Sequence, residues 1–543
     1  MMKKISVLVV VLLMLAAFAT VFAEGETPIM GGVVRYAIAE ESRGLDPVQS
    51  TRRFSDSGAH FYDALVYQTP DGEYHGGLAT SWEVNEDATE YTFHLRDDVT
   101  FQDGTKFNAE VVKAHYDRIH DPEWCCGNAF EYTKPYVETR VDDEYTATVV
   151  FSEPFGAFQY FVSIMDVSGM VSPTAIDTCG KEVNTLPAGS GPFKFVEWIP
   201  QTQITAVRNE DYNWAPDFFD HSGAPYVDGL EVKFIPDLTT MVACLEAGDC
   251  DIIKSPNAID IIRLQNDPRF HLERTRQTGV PFSFTFNTLR WPTSEFEVRK
   301  AVNLAIDRAR VSQAAYLGTK DPFYSVLADA SPEMWEGAKD LFYYAPDEAK
   351  AVLAEAGWAD TDGDGVVEKD GKACELDMYV FGSQEANSAV VAAESMQADL
   401  AKVGIKVNIL VRPWDDQSLI AAKKEHNLIN FDMPSPDASV LSTLFHSKEA
   451  PVEGSYGMGF SWFHEVNADE AAKLDKILDD AGNASTLEER NELYQEALKI
   501  IGENYLLMPV VQGYTDYLVS AKLHGVKYNM SGHAFFNDAW LEK

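Results

Sequence analysis

The chain is 543 residues long and 45% hydrophobic, more than a single core usually serves, so two or three well-filled domains are expected. Its 85 acidic against 44 basic residues give a formal net charge of −41 at pH 7, and the excess runs along the whole length. Such a surface repels nucleic acid and anionic membranes, which excludes both as partners and marks a solvated, self-repelling exterior.

The N-terminus reads Lys3 and Lys4, an apolar run from Ile5 to Phe18, then Val21-Phe22-Ala23. This is the pattern of a secretory signal peptide over residues 1–23. The apolar run is shorter than the roughly 20 residues that span a bilayer, and no comparable run follows, so an exported, soluble chain is expected. The first cysteine is Cys125, far from the cleavage site, and a lipid anchor is not expected.

Trp82 and Val84 precede a polar turn at 85–90, after which Tyr91, Phe93 and Leu95 alternate with polar neighbours, the signature of a hairpin. Past the Asp103-Gly104 turn, Asn108 is placed to cap a helix with Val112, Tyr116 and Ile119 on one face. Six cysteines in an oxidising compartment predict disulfides. Cys244 and Cys250 flank a reversal in which a helix stops at Gly248 and a strand begins, and they are expected to pair. Cys125 and Cys126 are adjacent, with Cα atoms about 3.8 Å apart, so a bond between them would be strained. One of them pairing with Cys179 is the milder expectation, and Cys374 has no assigned partner.

Farther on, Ser294 and Glu297 form a capping-box pattern for one helix carrying Val298, Val302, Ala305 and Ala309 and ending before Gly318. Ala393, Met396, Leu400 and Val403 make another apolar stripe, Gly404 stops it, and Ile405, Val407, Ile409 and Val411 then alternate as a strand. A last helix starts at the Ser485 and Glu488 pattern with Leu493, Ala497 and Ile500 inward, and an apolar strand follows at 505–511. Strands and helices alternate throughout, which predicts an α/β class.

Catalytic and metal signatures are weak. Asp360, Asp362 and Asp364 with Gly365 match the opening of a calcium loop, but its twelfth position is Gly371 instead of a bidentate glutamate, and a hairpin turn is the preferred reading. The chain has no Gly-x-Ser-x-Gly elbow, His-Glu-x-x-His, phosphate loop or Cys-x-x-Cys, and Gly189-Ser190-Gly191 lacks the elbow's first glycine. His115 and His120 near a helix end make a poor metal pair. No cofactor, no metal and no enzymatic activity are expected.

Four separated blocks resemble one family. These are Gly77-Leu78-Ala79-Thr80-Ser81-Trp82 with Tyr91 to Arg96 and Phe101 to Thr105; Gly189 to Phe195; Phe286-Asn287-Thr288 with Val298 to Arg308; and Ala354 to Trp358. In this order and spacing they resemble the extracellular solute-binding proteins of the oligopeptide, dipeptide and nickel type. The resemblance implies a periplasmic, monomeric receptor of an ABC importer with a two-lobed clamshell of the type II periplasmic-binding-protein kind. It also implies an inserted domain. The discontinuous domain maps to 24–54, 188–282 and 505–543, the inserted domain to 55–187, and the opposing lobe to 283–504. The implied partners are a small ligand, a short peptide above all, and a membrane permease with its ATPase. An oligosaccharide, an opine-like compound or a metal chelate is the alternative ligand, and an exported hydrolase the least favoured reading.

Peptide-binding members of that family hold the ligand ammonium with an aspartate in the opposing lobe and run the peptide as an added strand. The matching region here is Phe431-Asp432, although the family's tryptophan and glycines before the aspartate are missing. Asp432 and Phe431 are therefore the implied ligand contacts. Arg412 and Trp414, at the end of the 405–411 strand, are candidates to pair a ligand carboxylate and to stack. Asp437, beside Pro436, is read as a loop-capping residue.

Overall fold

The computed structural model describes residues 27–49, 54–124, 127–381, 388–435, 437–452 and 457–543. The signal segment and both Cys125 and Cys126 lie outside the described residues.

Three sheets organise the molecule. A seven-stranded mixed sheet runs in the order Phe270–Arg276, Tyr514–Ser520, Ile252–Lys254, Val33–Ile38, Gly229–Phe234, Gln203–Arg208, Phe193–Ile199. Val33–Ile38 sits near its centre, parallel to both neighbours, with Val34, Tyr36, Ala37 and Ile38 buried, as an inner strand covered on two faces requires. A four-stranded antiparallel sheet, Ala79–Val84, Glu90–Leu95, Thr146–Phe151, Tyr136–Asp143, belongs to the segment inserted between the first two strands of the large sheet. Its first hairpin pairs Trp82 with Phe93 and Val84 with Tyr91, so alternate side chains enter one core. Arg118 of this segment binds Asp46 through both carboxylate oxygens at 2.8 and 2.9 Å, buried, and fixes the inserted domain to the first lobe.

The second lobe is built on a five-stranded sheet in the order Lys406–Arg412, Glu375–Phe381, Leu428–Pro434, Gly279–Phe286, Leu507–Val511. The chain passes between lobes twice, at 277–278 and at 512–513. Gln277 N donates to Gly513 O at 3.1 Å, and Gln512 Nε2 donates to Gln277 O at 2.8 Å, which ties the two crossings together. Leu507–Val511, assigned by resemblance to the discontinuous domain, thus pairs in the second lobe, against Gly279–Phe286. At the rim the lobes touch through backbone, Gly156 N donating to Gly482 O at 3.1 Å.

Local signals and structure agree where capping is strong. Asn108 accepts from Val111 N and starts Ala109–His120. Gly248 adopts φ 77° and ends Leu238–Ala247, and Cys244 and Cys250 are joined by a disulfide with Cα atoms 5.3 Å apart. Gly404 at φ 83° closes the turn between Ser388–Ala401 and the following strand.

Three expectations are corrected. The single helix after Ser294 is two, Phe296–Ala305 and Arg308–Tyr316, because Asp307 caps the second by accepting from Arg310 N at 3.0 Å. The break lets the fully buried Arg308 guanidinium reach Pro509 O at 2.7 Å and Asn303 O at 3.1 Å. The last helix, Leu487–Glu503, is capped by Thr486, one residue past the expected serine. Cys179 is a free thiol packed at the edge of an apolar cluster, and Cys374 is a free, buried thiol that burial pushes up to about 12. Among the described residues no helix is long and apolar enough to cross a membrane.

Candidate functional site

Between the lobes lies a cavity of about 290 Å³. The first lobe and inserted domain supply Ser55 and Asp56 from Phe54–Ser57, Tyr132 from Asn128–Tyr132, Tyr160 from Phe158–Phe161 and Asp166 from Met165–Ser168. The interlobe crossing adds Gln277 and Thr278, the C-terminal segment adds His533, and the second lobe closes the wall with Pro434 and Ser435. A cavity of about 460 Å³ elsewhere is formed within the second lobe alone, by residues 322–344. Only the smaller one takes walls from both lobes, so lobe movement would open and close it.

The short helices hold the polar groups by pairing. Asp56, buried, receives the Lys254 ammonium and lies 3.1 Å from His533 Nδ1. Burial opposes its charge, but Lys254 and His533 outweigh it and hold the carboxyl well below the usual range. Asp166 differs. It is buried, Ser55 Oγ lies 3.4 Å from its Oδ2, and burial pushes its carboxyl up to about 7.

The sequence is that of a known family. Residues 73–451 match the family described as bacterial extracellular solute-binding proteins, family 5 Middle. The chain belongs to the family 5 solute-binding proteins. It is 27% identical to heme-binding protein A of Haemophilus influenzae, covering 92% of this chain and 91% of that one. Against the probable di/tripeptide-binding protein 5 of Pseudomonas aeruginosa it is 28% identical, covering 85% and 86%. In fold it is similar to NikA from Brucella suis in complex with Fe(III)-EDTA, with a TM-score of 0.80, 22% identity and coverage of 94% and 100%. These relatives are binding proteins, which agrees with the absence of catalytic signatures in the sequence.

As a family 5 protein the chain has its implied ligand contacts spread apart. Asp432 lies on Leu428–Pro434, on the same face as the cavity-lining Pro434, since side chains two apart share a face. Its surface is open to water while protein surrounds it at longer range, as at the floor of a cleft. Burial in that wider sense raises its carboxyl, and Lys320 partly offsets the rise. Phe431 is corrected: alternation turns it to the opposite face, where it is 1% exposed in a core with Val280 and Leu441. Arg412 is exposed, level with Phe381 on the edge strand and two strands from Asp432, about 10 Å away by strand spacing. Trp414 follows it in a 3-10 turn, its ring 6.2 Å from Phe381, and neither lines the cavity. Asp437 does cap its loop, accepting from Ser439 N at 2.8 Å, and it also binds Arg490.

Asp360, Asp362, Asp364 and Glu368 bring carboxylate oxygens within 4.8 Å of one another on the surface. Each accepts backbone amides of its own turn, among them Gly363 N to Asp360 at 2.7 Å and Val366 N to Asp364 at 2.8 Å. His115 Nε2 donates to Val167 O at 2.9 Å and is packed, as is His120 against Thr133, so the two form no metal pair.

Asp166, Asp56, Tyr132, Tyr160 and His533 escaped the sequence reading. They come from short helices and a terminal turn without periodicity. One signal was present, since Asp166 is the sole charged residue in the apolar stretch 157–171.

Proposed function

We propose that the protein captures a short peptide between its lobes in the periplasm and hands it to a membrane permease and its ATPase, without catalysing a reaction. The observation that carries this is the two-lobed cavity. Its volume falls at the small end of ligand sites, which run from about 300 Å³ upward, and its walls carry more polar and charged groups than a purely apolar solute needs. Family membership supplies the transport role, and the di/tripeptide-binding relative supports the ligand class.

A ligand that bridges the lobes stabilises the native state according to its concentration over its dissociation constant, by about 2.7 kcal/mol at a hundredfold excess. Thermal melts with dialanine, alanyl-leucine and alanyl-lysine should show a concentration-dependent rise. Haem and glutathione serve as comparisons. A rise with haem alone would replace the peptide reading, and no rise with any peptide would end it.

A further inference from the structure

Asp166 is the second residue of the four-residue helix Met165–Ser168, is 7% exposed, and lines the interlobe cavity. Among the described residues no Lys, Arg or His forms an ion pair with it. His533, the one basic residue lining that cavity among the described residues, is bound to Asp56, as is Lys254 behind the wall. Among the described residues its carboxyl has as polar partners only its own backbone amide, the Ser55 hydroxyl, at a long 3.4 Å, and the Asn128 side chain. A buried carboxyl without a counter-ion either keeps its proton or receives a cation from outside. A cavity beside it, walled by the rings of Tyr132 and Tyr160, admits one.

We propose that Asp166 is the ion-pair partner of a cationic group on the captured solute, a primary ammonium or a guanidinium, held from the first lobe. The inference rests on the capture of a peptide between the lobes and names the residue that takes the peptide's charged end. Asp432 is the weaker host for that charge: it is water-exposed, does not line the cavity, and Lys320 already acts on it.

A proton balance accompanies the pairing. Burial pushes the empty site's carboxyl up to about 7, so it holds a proton at pH 6; the arriving ammonium, itself fully protonated at that pH, displaces this proton to solvent. The other titratable groups facing the cavity are Asp56, His533 and the phenols of Tyr132 and Tyr160, with Lys254 paired to Asp56.

Calorimetry at pH 6 in two buffers of different ionisation enthalpy tests this, with dialanine, alanyl-leucine and alanyl-lysine and their N-acetyl forms as probes. Wild type should release protons, up to one per peptide bound. Asp166→Asn should weaken binding by about 30-fold or more and abolish the release. N-acetylation of dialanine should cost wild type as much and cost the variant little more, because both remove one pair. Asp432→Asn should lose less than Asp166→Asn. At pH 6 Asp166→Asn exchanges a buried, protonated carboxyl for a neutral amide of the same shape, so its melting temperature without peptide should not fall. Peptide binding that survives Asp166→Asn, or proton release that persists in it, overturns the inference and leaves peptide capture standing. If none of the peptides binds wild type, both fall together.

Discussion

Arg490 grips Asp437 with both ends of its guanidinium, Nη2 to Oδ1 at 2.8 Å and Nη1 to Oδ2, and both side chains are buried. Arg490 also donates to Tyr494 Oη at 3.2 Å and to Ala481 O at 3.2 Å. Tyr74 of the inserted domain lies within the field of this pair, so the second lobe's polar core reaches the face that meets the first lobe.

Breaking this pair from one side leaves a buried charge alone. Arg490→Met should destabilise the protein by about 3 to 5 kcal/mol, whereas Arg490→Met combined with Asp437→Leu should recover much of the loss. Denaturant unfolding of the two variants checks it. Equal losses in the single and double variants would show that the guanidinium acts through packing instead of charge.

Glu333 sits beside the pair, buried, and its Oε2 has no hydrogen-bond partner. Burial first, then the Asp437 carboxylate, pushes its carboxyl up to about 7 from the ordinary 4.5. Between those values the folded state holds a proton that the unfolded chain has released, so stability falls as pH rises through this window. Asp166 acts with the same sign. The buried imidazoles of His60, His115 and His426, which burial pushes down to about 4, act with the opposite sign, and their contribution is lost as pH falls from about 6.5 to 4. Glu333→Gln removes the first contribution alone. Its melting temperature should match wild type near pH 4.5 and exceed it by pH 7.5; parallel curves would mean that Glu333 titrates normally.

The sequence carries local decisions well and assembled ones poorly. Asn108, Gly248 and Gly404 act on amides within a few residues, and their helices and turns were legible from neighbours alone. The helix break at Asp307 was not, because it serves Arg308, whose acceptor Pro509 is two hundred positions away in the chain. The candidate cavity is harder still. Its walls come from six separated segments, three of them carrying helices of about one turn, and only the tertiary fold shows that Asp166 faces a void while Phe431 faces a core.

Gly279, just past the interlobe crossing, has φ +84°, and a Cβ there would lie 2.3 Å from Ser435 N and 2.6 Å from Met433 O. Gly279→Ala should cost more than about 1 kcal/mol and displace the wall that carries Pro434 and Ser435, weakening dipeptide binding. Gly104→Ala, with φ +89° but nothing within 4 Å, is the comparison: it should lose stability only. Titration calorimetry and melts on the two variants separate strain from collision.

The Cys244–Cys250 bond closes a short loop, a separation of 6 residues. Cys244→Ser with Cys250→Ser should cost about 2 kcal/mol, by restoring freedom to the unfolded chain. The cavity is remote in sequence and built by other segments, so dialanine affinity should be unchanged. A large loss of affinity in the double variant would place the bond in the working part of the molecule.

The rim contact between Gly156 N and Gly482 O has a kinetic meaning. A Cβ on Gly156 would stand 2.1 Å from Ala484 O, so here one lobe's main chain lies directly against the other's, with no side chain between them. Each opening of the clamshell must break that hydrogen bond and wet the amide. The deuterium uptake of Gly156 is therefore a clock for the open state, slowed by whatever solute keeps the lobes shut.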